Sequence, residues 1–253
     1  MIWNIDPILL ELGPLEIRYY GLFFALSLFF GYMLARKMCS IKKLSLDTLD
    51  SLIFHLVLGL IIGARFGHIL FYELDFYLSN LAEILQIWNG GLSSHGAALG
   101  LIAAYAFFLW RNKKVKFFDH ADIISIVAAF PIIFVRLGNF FNSEILGRPW
   151  DGPWAITFNR IDEIPRHPTV LYEALLGLIV LAILYSLWLK KHRTAKPGFF
   201  LGLFFMIYFG GRFLTEFTKE LAIHENLLGL TTGQLLSIPF ALIGIYLVIK
   251  KSK

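Results

Sequence analysis

The sequence predicts an all-α membrane protein with seven transmembrane helices. Of its 253 residues, 57% are hydrophobic and 16% are charged, and the mean hydropathy is +0.68. This composition is more apolar than a soluble domain needs for a single core. A helix needs about 20 apolar residues to cross a hydrocarbon layer of about 30 Å. Spans of this kind are expected near residues 19–36, 50–72, 92–110, 120–140, 170–189, 198–217 and 231–249.

Basic residues are concentrated in the connections that follow every second predicted span. They occur within residues 36–43, 111–116, 190–196 and 250–253, whereas the other connections are mixed or acidic. By the positive-inside rule, the four basic segments lie in the cytosol. The N-terminus is then expected outside and the C-terminus in the cytosol, which agrees with an odd number of spans. Because the basic residues form short clusters, the net charge of +5 does not indicate nucleic-acid binding.

The chain is expected to form one integral membrane domain over residues 1–253, because no low-complexity tract or long linker interrupts it. The longest connection, about residues 141–169, is rich in Pro, Gly and Trp and is expected to form a small head on the outer face. A second outer segment, 73–91, could lie flat in the membrane interface. The aromatic residues that favour this placement are Phe76, Tyr77 and Trp88.

Three arginines fall within about two turns of the predicted outer ends of spans two, four and six. They are Arg65, Arg136 and Arg212. A charged side chain inside a bilayer costs about 2.5 to 3.5 kcal/mol on insertion scales, so such residues are functional candidates. A guanidinium group binds phosphate oxygens in pairs and stays charged when buried, which indicates a phospholipid headgroup site. The structural alternative is that the arginines pair with Glu173 and Glu216 to hold the helices together.

Other polar residues are expected at the same outer level. Asn139, Asn142 and Glu144 closely follow the second of these arginines, and Tyr20 begins the first span. His95 lies in the glycine-rich run WNGGLSSHGAALG at the outer start of the third span. Its place beside convergent arginines makes His95 a candidate proton acceptor.

The remaining titratable residues of the spans are interpreted as structural. His55 and Asp122 fall toward the cytosolic side and are expected to serve packing or topology. His68 lies near an outer end and is expected to be a satisfied interfacial histidine. The single cysteine, Cys39, falls beside basic residues on the cytosolic side, so no internal disulfide and no cysteine-linked enzyme intermediate are expected.

Six segments of the chain resemble one bacterial enzyme family. The run RLGNFFNSEILG at 136–147 is similar to the signature of the prolipoprotein diacylglyceryl transferases. Five more segments agree with that family in order along the chain, namely RYYG at 18–21, GLSSHG at 91–96, RHPTVLYE at 166–173, GRFLTEF at 211–217 and GQLLSIP at 233–239. The sequence departs from the family pattern at Val135, where the signature normally has Gly, and at Ser94, where an aromatic residue is common.

The resemblance implies a transfer reaction between two membrane-embedded substrates. The diacylglyceryl group of phosphatidylglycerol would pass to the lipobox cysteine thiol of a preprolipoprotein, forming a thioether and releasing glycerol phosphate. This is the first step of bacterial lipoprotein maturation. The protein would then be a multi-pass protein of the cytoplasmic membrane with its active site toward the periplasmic face, and both substrates would enter sideways from the bilayer.

The chemistry of this reaction suggests a role for each candidate residue. A thiol with a pKa of about 8.5 is mostly protonated at neutral pH, so a base or a strong positive field is needed, and His95 is the candidate base. Phosphate charge would be held by Arg136 and Arg212. The remaining site residues are expected to bind the headgroup, orient the arginines or bound the pocket, and they are Tyr20, Asn139, Asn142, Glu144, Tyr208 and Glu216.

No metal or other cofactor is expected, because the sequence contains no His-Glu-x-x-His or comparable ligand motif. Guanidinium groups would handle the phosphate charge instead. Two other functions remain open at this level. A phospholipid or anion transporter could use the same arginines, although its site would be expected near the membrane midplane. An intramembrane serine protease would need Ser93 or Ser94 to act with the adjacent His95, which is poor geometry for a nucleophile and its base.

Overall fold

The computed structural model describes residues 1–13, 15–87, 90–220 and 229–252, and these residues are mainly helical. Trp88, which the sequence places in the interfacial segment, and Lys253 lie outside the described residues. The helices are α1 Tyr19–Ile41, α2 Leu46–Tyr72, α3 Leu74–Ser79, α4 Ser94–Arg111, α5 Phe117–Val127, α6 Ala129–Phe141, α7 Thr169–Lys191, α8 Phe199–Phe204, α9 Gly210–Thr215 and α10 Thr232–Ser252. Short 3₁₀ turns cover Leu81–Leu85 and Glu216–Thr218.

Within the described residues, six helical segments are long and apolar enough to cross a membrane. They are Tyr19–Ile41, Leu46–Tyr72, Phe117–Phe141, Thr169–Lys191, Phe199–Thr218 and Thr232–Lys251. Each corresponds to a predicted span. The predicted third span, 92–110, forms α4, but this helix is only 18 residues long and carries His95 and Arg111 near its ends, and it is not among the six.

The described residues also include five short strands, so the expected helical fold is confirmed as mainly helical but not as all-α. They are β1 Ile2–Trp3, β2 Ile8–Leu12, β3 Leu15–Arg18, β4 Ile156–Phe158 and β5 Pro165–Arg166. β2 and β3 form an antiparallel hairpin before α1, while β4 pairs parallel with β1 and antiparallel with β5. Apolar run length could not predict these strands, because each is short and the three-stranded sheet pairs segments that are far apart in sequence.

The residues form two compact units. The first comprises Met1–Met38 and Ala121–Lys253, and the second comprises Cys39–His120. In the second unit, α2 packs against α4 through glycines on both helices. A Cβ at Gly63 would lie 2.6 Å from the Cα of Gly100, and one at Gly67 would lie 2.5 Å from the Cα of Gly96. Small residues four positions apart thus allow the two backbones to touch.

In the first unit, the predicted span 120–140 is broken into α5 and α6 at Ala128. Pro131 lies three residues later. Because proline has no backbone N–H, it cannot form the helical hydrogen bond to the carbonyl of Val127. α6 then packs closely on α7, where a Cβ at Gly177 would lie 2.9 Å from the side chains of Ile132 and Ile133.

The candidate span Phe199–Thr218 has a side-chain cap at its start and an irregular turn in its middle. The buried carboxylate of Asp122 accepts the backbone N–H groups of Gly198 at 2.8 Å and Leu201 at 2.9 Å. Asp122 therefore caps the start of α8, which agrees with its predicted packing role. Between α8 and α9, residues Phe205–Phe209 form a π-helical turn. Such turns rotate the following residues relative to a regular helix and are frequent at functional sites.

The connection between α6 and α7, where the sequence predicts a head, contains β4 and β5. Trp3, Ile156 and Phe158 form a buried cluster with Phe140 and Val170, which belong to the ends of α6 and α7. The terminal ammonium of Met1 donates to the carbonyl of Ala155 at 2.9 Å. The N-terminus thus closes a small sheet over the helix ends.

A buried arginine fastens this connection. Arg166 pairs with Asp162 at 2.5 Å and with Glu220, and it also donates to the carbonyl of Gly147 at 3.2 Å. The hydrogen bond from Arg166 lowers the pKa of the Asp162 carboxyl below its ordinary value, and the same bond raises the pKa of Arg166. Both shifts favour the charged forms, which stabilises the pair.

Candidate active site

Arg136 lies near the C-terminal end of α6 and faces a carboxylate on α7. Its Nε is 2.9 Å from Glu173 Oε2, and its Nη1 is 3.4 Å from Asn139 Oδ1. Glu173 Oε2 accepts no hydrogen bond of good geometry from the described residues, so the contact is an ion pair and not a linear hydrogen bond. Among the same residues, Nη2 of Arg136 has no partner. Nε and Nη1 of Arg136 thus contact protein, and Nη2 can donate to an anion.

The residues after Arg136 form a tight polar loop. Asn139 Nδ2 donates to Glu144 Oε2 at 2.7 Å, and Asn142 Nδ2 donates to Glu144 Oε1 at 3.0 Å. Ser143 and Ile145, on either side of Glu144, have positive φ values of 54° and 56°. A left-handed conformation costs about 1 to 3 kcal/mol for such residues and is maintained only where surrounding contacts compensate. The left-handed conformations of these two residues turn the exposed Glu144 back toward both amides, and its hydrogen bonds to them compensate the backbone strain.

Arg212 lies on α9, directly after the π-helical turn. Its Nη1 donates to the hydroxyl of Tyr208 at 3.4 Å, and its Nη2 is 3.7 Å from Glu216 Oε1. The second distance is too long for a hydrogen bond, so the carboxylate attracts the guanidinium without saturating it. Glu216 is 3% exposed and also accepts from the hydroxyl of Thr231 at 3.3 Å. Arg212 is thus placed beside a buried negative charge and keeps N–H groups for another ligand.

Lys219 connects the two arginine sites. Its Nζ is 3.0 Å from Glu173 Oε1 and 2.5 Å from Glu216 Oε1. Since Glu173 pairs with Arg136 and Glu216 lies beside Arg212, one continuous set of ion pairs joins α6, α7 and α9. We refer to these five residues as the ion network. Its three cations and two carboxylates leave one positive charge, which suits an anionic ligand.

Tyr20 packs against the helix that carries Arg136. A Cβ at Gly138 would lie 2.8 Å from Tyr20 Cδ2 and 3.2 Å from its Cα. Glycine is therefore required at this position, between Arg136 and Asn139, for α1 to approach α6. Most of the predicted site residues, namely Tyr20, Arg136, Asn139, Asn142, Glu144, Tyr208, Arg212 and Glu216, lie in this first unit and are linked by the contacts above.

Arg65, the third arginine of the predicted cluster, lies in the second unit and has a different role. Its side chain is 4% exposed, and its guanidinium donates only to backbone carbonyls. The acceptors are Glu83, Ile84, Gln86, Gly90 and Gly91, at 2.5 to 3.3 Å. These bonds favour the structural alternative for Arg65, because its donors already hold the segment after α3.

His95 also lies in the second unit, in the first turn of α4, and its side chain is exposed. Ser93 is buried there, and its hydroxyl accepts the N–H of Gly96 at 3.2 Å as the cap of the helix. A capping serine faces the helix backbone, which does not favour its predicted alternative role as a nucleophile. His68 pairs with Glu73 at 3.2 Å, and His55 contacts the carbonyl of Ser51 at 2.7 Å, so both histidines have local partners.

Comparison with known proteins matches nearly the whole chain to one family. The family model for prolipoprotein diacylglyceryl transferase matches residues 7–250. The chain belongs to the prolipoprotein diacylglyceryl transferase family. Phosphatidylglycerol–prolipoprotein diacylglyceryl transferases from three bacteria are similar to it. The protein of Tolumonas auensis is 39% identical over 100% of this chain and 98% of its own length. That of Bacteroides fragilis is 39% identical over 96% and 92%, and that of Nitratidesulfovibrio vulgaris is 35% identical over 97% and 94%.

Two features of this diacylglyceryl transferase family member were not found by sequence reasoning. Lys219 was not assigned a role, although its spacing of three residues from Glu216 is compatible with a helical ion pair. Gly147 closes the signature run at a point where a Cβ would overlap the carbonyl of His167 and lie 2.7 Å from Thr169 Oγ1. Only glycine lets the signature loop pass the start of α7, a requirement visible only in three dimensions.

The described residues of this family member contain no group of three or more His, Cys, Asp or Glu side chains arranged to hold a metal ion. The titratable groups that do converge are the cations and carboxylates of the ion network. Their chemistry is suited to binding an anionic headgroup and stabilising charge on a departing phosphate.

Proposed function

We propose that this protein transfers the diacylglyceryl group of phosphatidylglycerol to the lipobox cysteine thiol of a prolipoprotein. Membership of the family supports this reaction, and the observation that carries it is the ion network, in which Arg136 and Arg212 lie on separate helices and each pairs with a carboxylate that Lys219 also contacts. The thiolate sulfur would attack the glycerol carbon that bears the phosphate. The carbon–oxygen bond would break, and glycerol phosphate would leave with the bonding electrons.

In this proposal the arginines act on the leaving group. The phosphodiester of phosphatidylglycerol has one negative charge, and a second develops on the departing oxygen. Charge-assisted bonds from Arg136 and Arg212 that tighten as this charge develops are worth about 2 to 4 kcal/mol each. Asn139, Asn142 and Tyr208 would bind or bound the headgroup, Glu144 and Glu216 would orient these donors, and Tyr20 would close the pocket wall.

We propose His95 as the base that accepts the thiol proton, because it is an exposed imidazole in a glycine-rich helix start that matches the family pattern. No step of this chemistry needs a metal or another cofactor. Turnover is therefore expected to persist in the presence of a chelator.

We further propose a membrane arrangement for this reaction. Residues 1–253 would form one integral membrane domain with the N-terminus outside and the C-terminus in the cytosol. α4 would cross the membrane in addition to the six apolar segments, giving seven spans. The alternation of basic and acidic connections supports this orientation. The connection at 141–169 would form a periplasmic head, with the active site toward the same face of the bacterial cytoplasmic membrane.

A reconstitution experiment tests the activity. Purified protein in detergent is given phosphatidylglycerol and a lipobox peptide, and mass spectrometry detects the diacylglyceryl thioether and free glycerol phosphate. Wild-type protein should form both without any ion gradient, whereas a peptide with serine in place of the cysteine should remain unmodified. Absence of thioether from folded wild-type protein would contradict the proposal, and lipid movement without product would favour a transporter.

Arg136→Ala provides the matched loss-of-function variant. It should lower turnover at least about 100-fold, as expected when a donor to developing charge is removed. Arg136→Lys keeps the charge but loses the planar arrangement of N–H groups, so it should recover only part of the activity. Normal activity of folded Arg136→Ala would exclude Arg136 from the site.

A further inference from the structure

Lys219 is a charged side chain in an almost fully buried position. The residue is 4% exposed, and its two carboxylate partners, Glu173 and Glu216, are 3% exposed each. Burying a charge is costly unless it is paired, and here one ammonium serves two carboxylates at 3.0 and 2.5 Å. Neither carboxylate is used by Lys219 alone, because Glu173 also pairs with Arg136 and Glu216 lies beside Arg212.

The backbone around Lys219 is fixed against the signature loop. Lys219 forms an antiparallel bridge with Gly147, and its carbonyl accepts from Arg148 Nε at 3.1 Å. The N–H of Arg148 donates to the carbonyl of Thr218 at 2.8 Å, and Thr169 Oγ1 donates to the same carbonyl at 2.9 Å. The ammonium is therefore delivered from a backbone that has little freedom to move relative to α7 and the loop.

Removing the Lys219 ammonium would change which groups the N–H donors of Arg136 and Arg212 bind. Three cations and two carboxylates leave the ion network with one positive charge, whereas two cations and two carboxylates leave none. Without Lys219, each carboxylate would have only its arginine as a counter-ion, and a two-bond arginine–carboxylate pair is the favoured geometry. The N–H groups that Arg136 and Arg212 now keep for a ligand would be drawn to Glu173 and Glu216.

We propose that Lys219 is a positioning residue that shares the counter-carboxylates of Arg136 and Arg212, so that both guanidinium groups remain available to a lipid phosphate. This inference rests on the proposed function, since the phosphate is that of phosphatidylglycerol. Lys219 itself contacts only protein carboxylates and does not touch the substrate. Its contribution is to the charge and geometry of the anion site.

Three variants of the full chain test this proposal. Lys219→Met removes the charge and keeps the side-chain length, Lys219→Arg keeps the charge, and Lys219→Met with Glu173→Gln restores a net charge of one. For each folded protein in detergent, native mass spectrometry gives the Kd for phosphatidylglycerol, with zwitterionic phosphatidylcholine as the control lipid. KM and kcat are measured with the lipobox peptide.

The proposal expects Lys219→Met to raise the Kd and KM for phosphatidylglycerol at least about tenfold, with a smaller change in kcat and in phosphatidylcholine binding. Lys219→Arg and the double variant should return both constants to within about threefold of wild type. A Kd for Lys219→Met within about twofold of wild type would overturn the proposal. A double variant whose Kd is no lower than that of Lys219→Met would also overturn it. Restoring the net charge of the ion network would then have no effect on lipid binding, as expected if Lys219 is purely structural.

Folding defects and failure of the proposed reaction can be distinguished from these outcomes. If Lys219→Met is not recovered as folded protein, the double variant decides: a folded protein with near wild-type Kd supports the proposal, and an unfolded or weakly binding one contradicts it. If wild-type protein binds phosphatidylglycerol but forms no thioether, the proposed reaction fails, and the Kd comparison still tests the role of Lys219.

Discussion

Single residues in the site are held by contacts that use only part of their bonding capacity. Arg136 is paired through Nε and Nη1, and Arg212 has a 3.4 Å hydrogen bond and a 3.7 Å ion pair. A buried guanidinium must be compensated to be stable, but one with every donor saturated could not bind phosphate. Arg65 shows the contrast, because its five bonds to carbonyls leave it a structural role.

His95→Gln tests the assignment of the base. Glutamine keeps a hydrogen-bonding side chain but cannot accept a proton near neutral pH, so turnover should fall about 100-fold or more while the Kd for phosphatidylglycerol stays unchanged. The matched control is His55→Gln, since His55 contacts the carbonyl of Ser51 and should tolerate the change. Wild-type turnover of His95→Gln would mean that another group activates the thiol.

The ion pair between Asp162 and Arg166 predicts an acid-sensitive connection. The hydrogen bond from Arg166 lowers the folded-state pKa of Asp162, so its stabilising effect is present above the unfolded pKa of about 3.9 and is lost as pH falls through the lower folded value. The unfolding temperature of Asp162→Asn in detergent should therefore be lower than that of wild type at pH 7, and the difference between the two proteins should shrink toward pH 3. Glu16→Gln, which breaks an exposed pair with Arg18, serves as the control and should have little effect at either pH. A difference for Asp162→Asn that is equal at both pH values would contradict this assignment.

Individual elements show which features a sequence can predict. The predicted span 170–189 corresponds to Thr169–Lys191, because an apolar run of this length must be helical to satisfy its backbone in lipid. Apolar run length does not predict the strands, because each is short and β1 pairs with β4, which lies far along the chain. The break at Ala128 accompanies Pro131, and the π-helical turn Phe205–Phe209 lies inside an apolar run, and hydrophobic run length records neither feature.

The predictability of the site has the same physical basis. Arg136 and Arg212 could be identified because charge inside an apolar run is costly and therefore conspicuous. Lys219 lies just after such a run, where a lysine is ordinary, and only the fold brings it to Glu173 and Glu216. Arg65 met the same criterion as the other arginines, but its partners are backbone carbonyls, which sequence cannot reveal.

The signature loop makes a prediction at the level of the element. Ile145 has a φ of 56° and is 39% exposed, so it bears left-handed strain without a large buried contact. Ile145→Gly should stabilise the protein by up to about 1 kcal/mol, measured by thermal unfolding in detergent. Ile164→Gly is the control: Ile164 is similarly exposed but is not among the positive-φ residues, and the change there should be destabilising. Equal destabilisation by both variants would show that Ile145 is not strained.

The whole molecule is expected to have its head and its basic connections on opposite faces of the membrane. In a Cys39→Ser background, Trp154→Cys should react with a membrane-impermeant maleimide in intact spheroplasts, since Trp154 is 58% exposed in the connection between α6 and α7. Lys113→Cys, in a basic connection, should react only after the membrane is permeabilised. Reversed labelling of the two positions would contradict the proposed orientation.

A structure of the protein with bound phosphatidylglycerol tests the central claim about the ion network most directly. Phosphate oxygens should lie about 3 Å from guanidinium nitrogens of both Arg136 and Arg212, with Lys219 still on Glu173 and Glu216. A phosphate bound elsewhere, with both guanidinium groups fully paired to protein carboxylates, would contradict it.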